Sequence, residues 1–230
     1  MPSKEILRVV DSMTPEDLIK VYRQDIPFID YRLADARKTF SKCLYANRTE
    51  PYFFNPIEYR RKNGLNIVLQ FFDKSNKYPQ KQRLGEWLYM WFNYRGGISF
   101  LRPCLYPNCG LVVFFYTSHF VERYRERLLK DSTISKTEAF HLFLCNNVKK
   151  SFKFVPSEKY PTNGWMMSPD GLCFVEVKEN SFIIAKTFIP WNFLRKDQIV
   201  TMNEIGQEAL AKGFELNIPW EMFSEEDLKY

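Results

Sequence analysis

Apolar and polar residues alternate between two periods along this chain, and the places where the period changes divide it. Near the start Ile6, Leu7, Val9 and Val10 fit a short helix over Lys4–Met13. Thr14-Pro15-Glu16-Asp17 then has the form of a helix start, with Thr as N-cap, Pro at the first position and acids in the first turn. That helix is expected to run to about Gln24, to be interrupted at Asp25-Ile26-Pro27, and to be followed by a longer one carrying Ile29, Leu33, Ala36, Phe40 and Leu44 at helical spacing. Arg60-Arg61-Lys62 reads as a solvated basic turn.

From Gly64 the pattern becomes that of strands. Leu65–Phe72 is one; Asp73–Arg83 is a basic loop with Lys74, Lys77, Lys81 and Arg83; Glu86–Phe92 is expected to pair with Ile98–Leu105 across an Arg95-Gly96-Gly97-Ile98 turn. Gly110–Phe115 is apolar at nearly every position, as in a central strand covered on both faces. A helix then begins near Ser118, read as its N-cap, and Ser135-Lys136-Thr137-Glu138 has the capping-box spacing that opens another, with His141 inside it as a structural residue. Lys149–Phe154 interleaves basic and aromatic residues, a pattern of half-buried edge strands and also of surfaces that stack bases between phosphate contacts. Trp165–Met167, Leu172–Val177 and Phe182–Ile189 form an antiparallel meander ended by Pro190, with a last helix over Asn203–Lys212 and an acidic end at Glu221, Glu225, Glu226 and Asp227. The predicted fold is α+β: a helical region over 1–63, an α+β core over 64–190 in which a mostly antiparallel sheet is packed with two helices, and a C-terminal helix and tail over 191–230.

Composition adds a limited amount. The 230 residues are 45% hydrophobic and 17% aromatic, enough to bury a core, and no apolar run approaches a membrane span. No secretory signal precedes the first helix pattern, so a cytoplasmic protein with no membrane partner is expected. Lys+Arg 33 against Asp+Glu 27 gives +6, which suits a polyanionic partner without requiring one. The five cysteines, Cys43, Cys104, Cys109, Cys145 and Cys173, are odd in number and scattered, which argues against a disulfide framework, and no Cys/His spacing completes a zinc site. The nine glycines lie at turns and form no phosphate loop, which excludes nucleoside triphosphate hydrolysis of the usual kind; no metal or other cofactor is called for.

The stretch that speaks of chemistry is Tyr116–Leu128, with Lys130 just beyond it. At 100° per residue His119, Arg123, Glu126, Arg127 and Lys130 share one stripe of the helix, while Phe120, Val121, Tyr124 and Leu128 share another. One stripe is built to bury, the other to meet an anion, although Arg125 and Lys130 also fit an ordinary solvated face.

A helix opening with His-x3-Arg-x2-Glu-Arg, then a second helix, then antiparallel strands with a Thr inside an apolar strand, resembles the plan of small bacterial RelE-like toxins and the wider barnase, EndoU and RelE ribonuclease superfamily. The matching residues are His119, Arg123, Glu126, Arg127 and Thr187, over 117–189. The resemblance implies metal-independent RNA cleavage, with RNA as partner and an antitoxin-like protein as a second one. His119, Arg123, Arg127 and Thr187 would be the catalytic set, and Lys130, Lys149, Lys150, Lys153 and Lys186 the further RNA contacts. Such chemistry needs a base for the 2′-hydroxyl proton, an acid for the leaving 5′-oxygen, and cations for the phosphoryl charge; histidine suits either proton role and arginine the phosphate. Strand alternation allows Lys186 or Thr187, not both, on the active face. The rival is a non-catalytic interaction module whose helix stripe is solvated or docks an acidic protein.

Overall fold

A computed structural model of the chain describes residues 7–44, 49–106, 110–147, 153–156, 162–178, 182–211 and 220–224. The protein is α+β: a long N-terminal helix, mostly antiparallel strands, short helices between them and a C-terminal helix. It divides into two compact units, Met1–Pro103 and Cys104–Tyr230.

In the first unit, α1 (Pro15–Phe40) starts as its sequence demands. Thr14 Oγ1 accepts from the Asp17 amide and the Asp17 carboxylate accepts from the Thr14 amide, a reciprocal cap worth about 1 kcal/mol. The expected break at Pro27 does not occur. Leu18, Tyr22, Asp25, Ile29 and Ala36 form one buried stripe on both sides of it. Burial along the whole stripe outweighs the roughly 3 kcal/mol that an internal proline costs. Nor do residues 7–13 form the expected helix. The Leu7 amide donates to Gln24 Oε1 and the Val9 amide to the Asn63 carbonyl, so tertiary partners have replaced the bonds of a helix too short to stand alone.

Two short strands, β1 (Tyr52–Phe53) and β2 (Ile57–Arg60), both pair antiparallel with β3 (Asn66–Asp73). β3 pairs with β4 (Leu84–Tyr94) and β4 with β5 (Gly97–Tyr106), again antiparallel. Arg95 and Gly96 both have positive φ, 49° and 74°, as a two-residue hairpin turn matched to strand twist requires. The basic loop carries one helical turn, α2 (Gln80–Arg83). Arg61 is not the solvated turn residue its sequence suggested. Its guanidinium donates twice to Asp25 Oδ1, at 3.0 and 2.8 Å, and Asn63 Nδ2 donates to Oδ2 at 2.7 Å, which ties α1 to the end of β2.

In the second unit β6 (Gly110–Tyr116) is followed by α3 (Ser118–Tyr124), which continues as one π-helical turn over Arg125–Leu129, and by α4 (Lys136–Asn147). The remaining strands are β7 (Lys153–Pro156), β8 (Asn163–Ser168), β9 (Gly171–Lys178) and β10 (Phe182–Pro190), a meander running antiparallel from β7 to β10. β10 then pairs parallel with β6, a crossover through both helices. The core between helices and strands is aromatic: Tyr116, Phe120, Tyr124, Phe140, Phe143 and Phe188 meet edge to face or tilted at centroid distances of 4.9 to 6.2 Å. α5 (Lys196–Ala211) begins before the expected Asn203, because Ile199 and Met202 are drawn into a cluster with Trp165, Leu172 and Trp191. Lys149, Lys150, Cys109, Glu179 and the acidic residues from Glu225 onward lie outside the described residues.

Candidate functional site

The cap of α3 is Thr117, one residue before the expected Ser118. Thr117 Oγ1 accepts from the Phe120 amide at 3.1 Å. Thr117 also reaches β10: its amide donates to the Ala185 carbonyl at 3.1 Å and its hydroxyl to the Lys186 carbonyl at 3.0 Å. One residue thus fixes the first turn of α3 beside the middle of a strand some seventy positions away. Ser118, displaced from the cap, accepts from Lys136 Nζ at 3.0 Å.

At that point β10 carries a bulge. Ala185 faces Val175 and Thr187 faces Phe174 on β9, so Lys186 is the extra residue. The bulge breaks the alternation that would have hidden one of the pair: Lys186 is exposed and Thr187 half-buried. His119, Lys186 and Thr187 therefore lie on elements that Thr117 joins. His119 is exposed and makes no hydrogen bond or ion pair among the described residues.

The cationic stripe is only partly free. Arg123 donates to Glu126 Oε2 at 2.9 Å, one helical turn away. The 100° step ends at Tyr124, because the Lys130 amide donates to the Arg125 carbonyl five residues back and Lys130 takes the left-handed conformation. Over Arg125–Leu129 the step per residue is smaller, so a constant 100° wheel no longer places Lys130 on the stripe. Arg127 Nη1 donates to the Phe188 carbonyl on β10 at 3.3 Å, and Lys130 is exposed beyond the helix end. Lys186 Nζ lies 2.5 Å from Glu176 Oε2, and Lys178 pairs with the same carboxylate. Hydrogen bonds from Lys178 and Lys186 hold the Glu176 carboxyl below the usual range. Glu122 is clamped similarly by Lys136, at 2.5 Å, and Arg125, at 2.6 Å, with Lys136 the stronger influence in lowering its pKa. Lys153 opens β7, and its side chain lies outside the described ones.

A polar network beneath this surface was not foreseen. The Tyr124 hydroxyl donates to Asp170 Oδ2 at 2.9 Å and accepts from Asn146 Nδ2 at 3.0 Å; Asn147 Nδ2 reaches the same Asp170 oxygen at 3.2 Å. Burial, with the neighbouring Asp170 charge, pushes the Tyr124 phenol up, so it stays a neutral donor. The signal was available in Tyr124 itself: a tyrosine on the buried stripe of a helix needs a partner for its hydroxyl. His141, on α4, contacts Cys145 Sγ through Nε2 at 3.4 Å and is half-buried.

No group of three or more His, Cys, Asp or Glu among the described residues is placed to hold a metal ion, and no described helix is long and apolar enough to cross a membrane. Comparison with protein-family models, with curated proteins and with solved structures finds no match to this chain.

Proposed function

We propose that this protein binds RNA through the exposed face of α3 and the adjoining bulge of β10, and that His119 gives this surface metal-independent cleavage activity. The observation that carries the reading is the Thr117 junction. It joins the helix that carries Arg123 and His119, whose imidazole has no partner among the described residues, to the strand that carries Lys186 and the half-buried Thr187. In cleavage the 2′-oxygen bonds to the adjacent phosphorus as His119 takes its proton, the bond from phosphorus to the 5′-oxygen breaks, and the leaving oxygen takes a proton from water. Arg123 keeps donors beyond the one given to Glu126 and offers them to the phosphoryl oxygens; Thr187 supplies a second contact, and Arg127 positions α3 on β10. The order of helices and strands after Thr117, which resembles RelE-like and EndoU-like ribonucleases, supports the same reading.

A second reading, a non-catalytic module that docks an acidic protein, draws support from the lysines exposed around this surface, Lys130 and Lys186. The two separate in one experiment: single-stranded RNA and ribosome-bound message incubated in EDTA with the wild type, His119→Ala and Arg123→Ala. Cleavage by the wild type that falls about 100-fold or more in His119→Ala, in a protein that stays folded, is the expected result. RNA left intact by all three, with no salt-sensitive RNA binding, assigns the surface to a protein partner.

A further inference from the structure

In the first unit a cleft of about 760 Å³ opens where the last turn of α1, the β3–α2 connection and the start of β4 converge. Arg37, Lys38, Lys74 and Lys81 line it, with Glu86 as the carboxylate among the lining residues. Glu86 is already taken: Arg37 Nε donates to its Oε2 at 2.7 Å, and Arg37 Nη2 pairs with Oε1. The ammonium groups of Lys38, Lys74 and Lys81 have no carboxylate partner among the described residues; Lys74 has only the Tyr78 ring, 5.5 Å away.

The C-terminal dipole of α1 accounts for Arg37 and Lys38, which stand in its last turn. It does not account for Lys74 and Lys81, which arrive from the other side of the cleft on a loop of separate origin. The two ends of that loop are pinned together. Asp73 and Arg83, at its two ends, form a buried ion pair, and the Lys74 amide donates to the Arg83 carbonyl at 2.9 Å. Like charges brought together on a fixed frame with no counter-charge repel one another, and a bound polyanion relieves that repulsion. None of the lining residues is fully buried, and the cations are mostly lysines, which bind phosphate as point charges. Such a cleft follows a phosphate backbone rather than reading a base.

We propose that this cleft binds linked phosphates, and that a single strand of RNA supplies them. The choice of RNA rests on the function proposed above; the affinity for linked phosphates does not. The test uses the full chain with two probes, a short labelled oligouridine and inorganic tripolyphosphate, across a salt series. The proteins compared are the wild type, a Lys38→Gln/Lys74→Gln/Lys81→Gln variant, the corresponding triple arginine variant and Arg123→Ala, each checked for an unchanged circular dichroism spectrum. The glutamine variant is expected to bind both probes roughly tenfold or more weakly and to lose about two units of the slope of log K against log salt, while the arginine variant restores binding. Equal binding of both probes by the wild type and the glutamine variant overturns the cleft, and if RNA binding is then lost in Arg123→Ala the α3 reading stands alone. Tripolyphosphate bound by the wild type and lost in the glutamine variant, with no RNA bound by any protein, upholds the phosphate site and overturns RNA as its source. Neither probe bound by the wild type overturns both readings.

Discussion

In the first unit Asp73 is fully buried and faces the guanidinium of Arg83, itself 6% exposed, whereas in the second unit Asp170 is held by the Tyr124 hydroxyl and the Asn147 amide, neither of which carries charge. The surfaces above these two carboxylates differ in the opposite sense. Around the first-unit cleft three lysines lack carboxylate partners among the described residues, while on the α3 and β10 surface Glu122, Glu126 and Glu176 take up Lys136, Arg123 and Lys186. Where the interior uses ion pairs to pin a loop, the loop's own lysines are left for a ligand. Where the interior uses neutral donors, the surface charges are spent on one another. An anion therefore meets less competition in the first-unit cleft than on α3, and the α3 surface depends more on its uncharged chemistry, His119 and Thr187.

The sharpest way to break this comparison is to remove one partner of the buried pair. Asp73→Ala leaves the Arg83 guanidinium buried without its counter-charge and frees the Ser75 amide, which now donates to Asp73 Oδ1 at 3.2 Å. Urea denaturation should show a loss of about 3–5 kcal/mol, and replacing both residues by apolar ones, Asp73→Leu with Arg83→Met, should recover most of it. Recovery would show that the pair specifies the loop's geometry more than it stabilises the fold. In that double variant the cleft's affinity for tripolyphosphate should still fall, since Lys74 and Lys81 would no longer be held in place.

A smaller effect is expected in the second unit. Tyr124→Phe keeps the ring in its aromatic cluster but deprives Asp170 of a donor and Asn146 of an acceptor. The loss should be about 1–3 kcal/mol by the same denaturation measurement. A loss as large as that of Asp73→Ala would mean that Asp170 is as dependent on Tyr124 as Asp73 is on Arg83, and the contrast between the units would fail.

Much of this architecture is readable in the sequence where its cause is local. The cap at Thr14 through Asp17, the Arg95-Gly96 hairpin and the meander from Trp165 to Ile189 each follow from residues a few positions apart. What escaped reading depends on distant partners. Pro27 looked like a break because the buried stripe that carries α1 through it depends on partners as far along as Asn63. Residues 7–13 looked helical because the competing acceptors, Gln24 and Asn63, are invisible locally. The parallel pairing of β10 with β6 has no local signature at all. For the site, the shared stripe of Arg123 and Glu126 was legible, but the π turn after Tyr124 was not, since a helical wheel assumes a constant step, and neither was the contact of Arg127 with the Phe188 carbonyl on β10. The bulge at Lys186 likewise appears only once β9 is beside it.

The gentlest probe of the contrast is pH. His141 sits half-buried on α4 in the second unit beside the Cys145 thiol, which burial pushes up to about 11. Burial also lowers the His141 pKa by disfavouring the imidazolium, and the Glu138 charge offsets only part of the shift. The unfolded chain binds its proton near pH 6.5, while the folded chain resists it to lower pH. Between those values the unfolded state holds more protons, so stability rises with pH there; it is fully present above about 6.5 and is lost as pH falls through the lowered folded value. Thermal unfolding followed from pH 7.5 down to about 5 should show a decline beginning near 6.5 that His141→Gln removes. A decline unchanged in His141→Gln would locate the acid sensitivity elsewhere, and the second unit's preference for neutral polar groups in its interior would then not extend to its histidine.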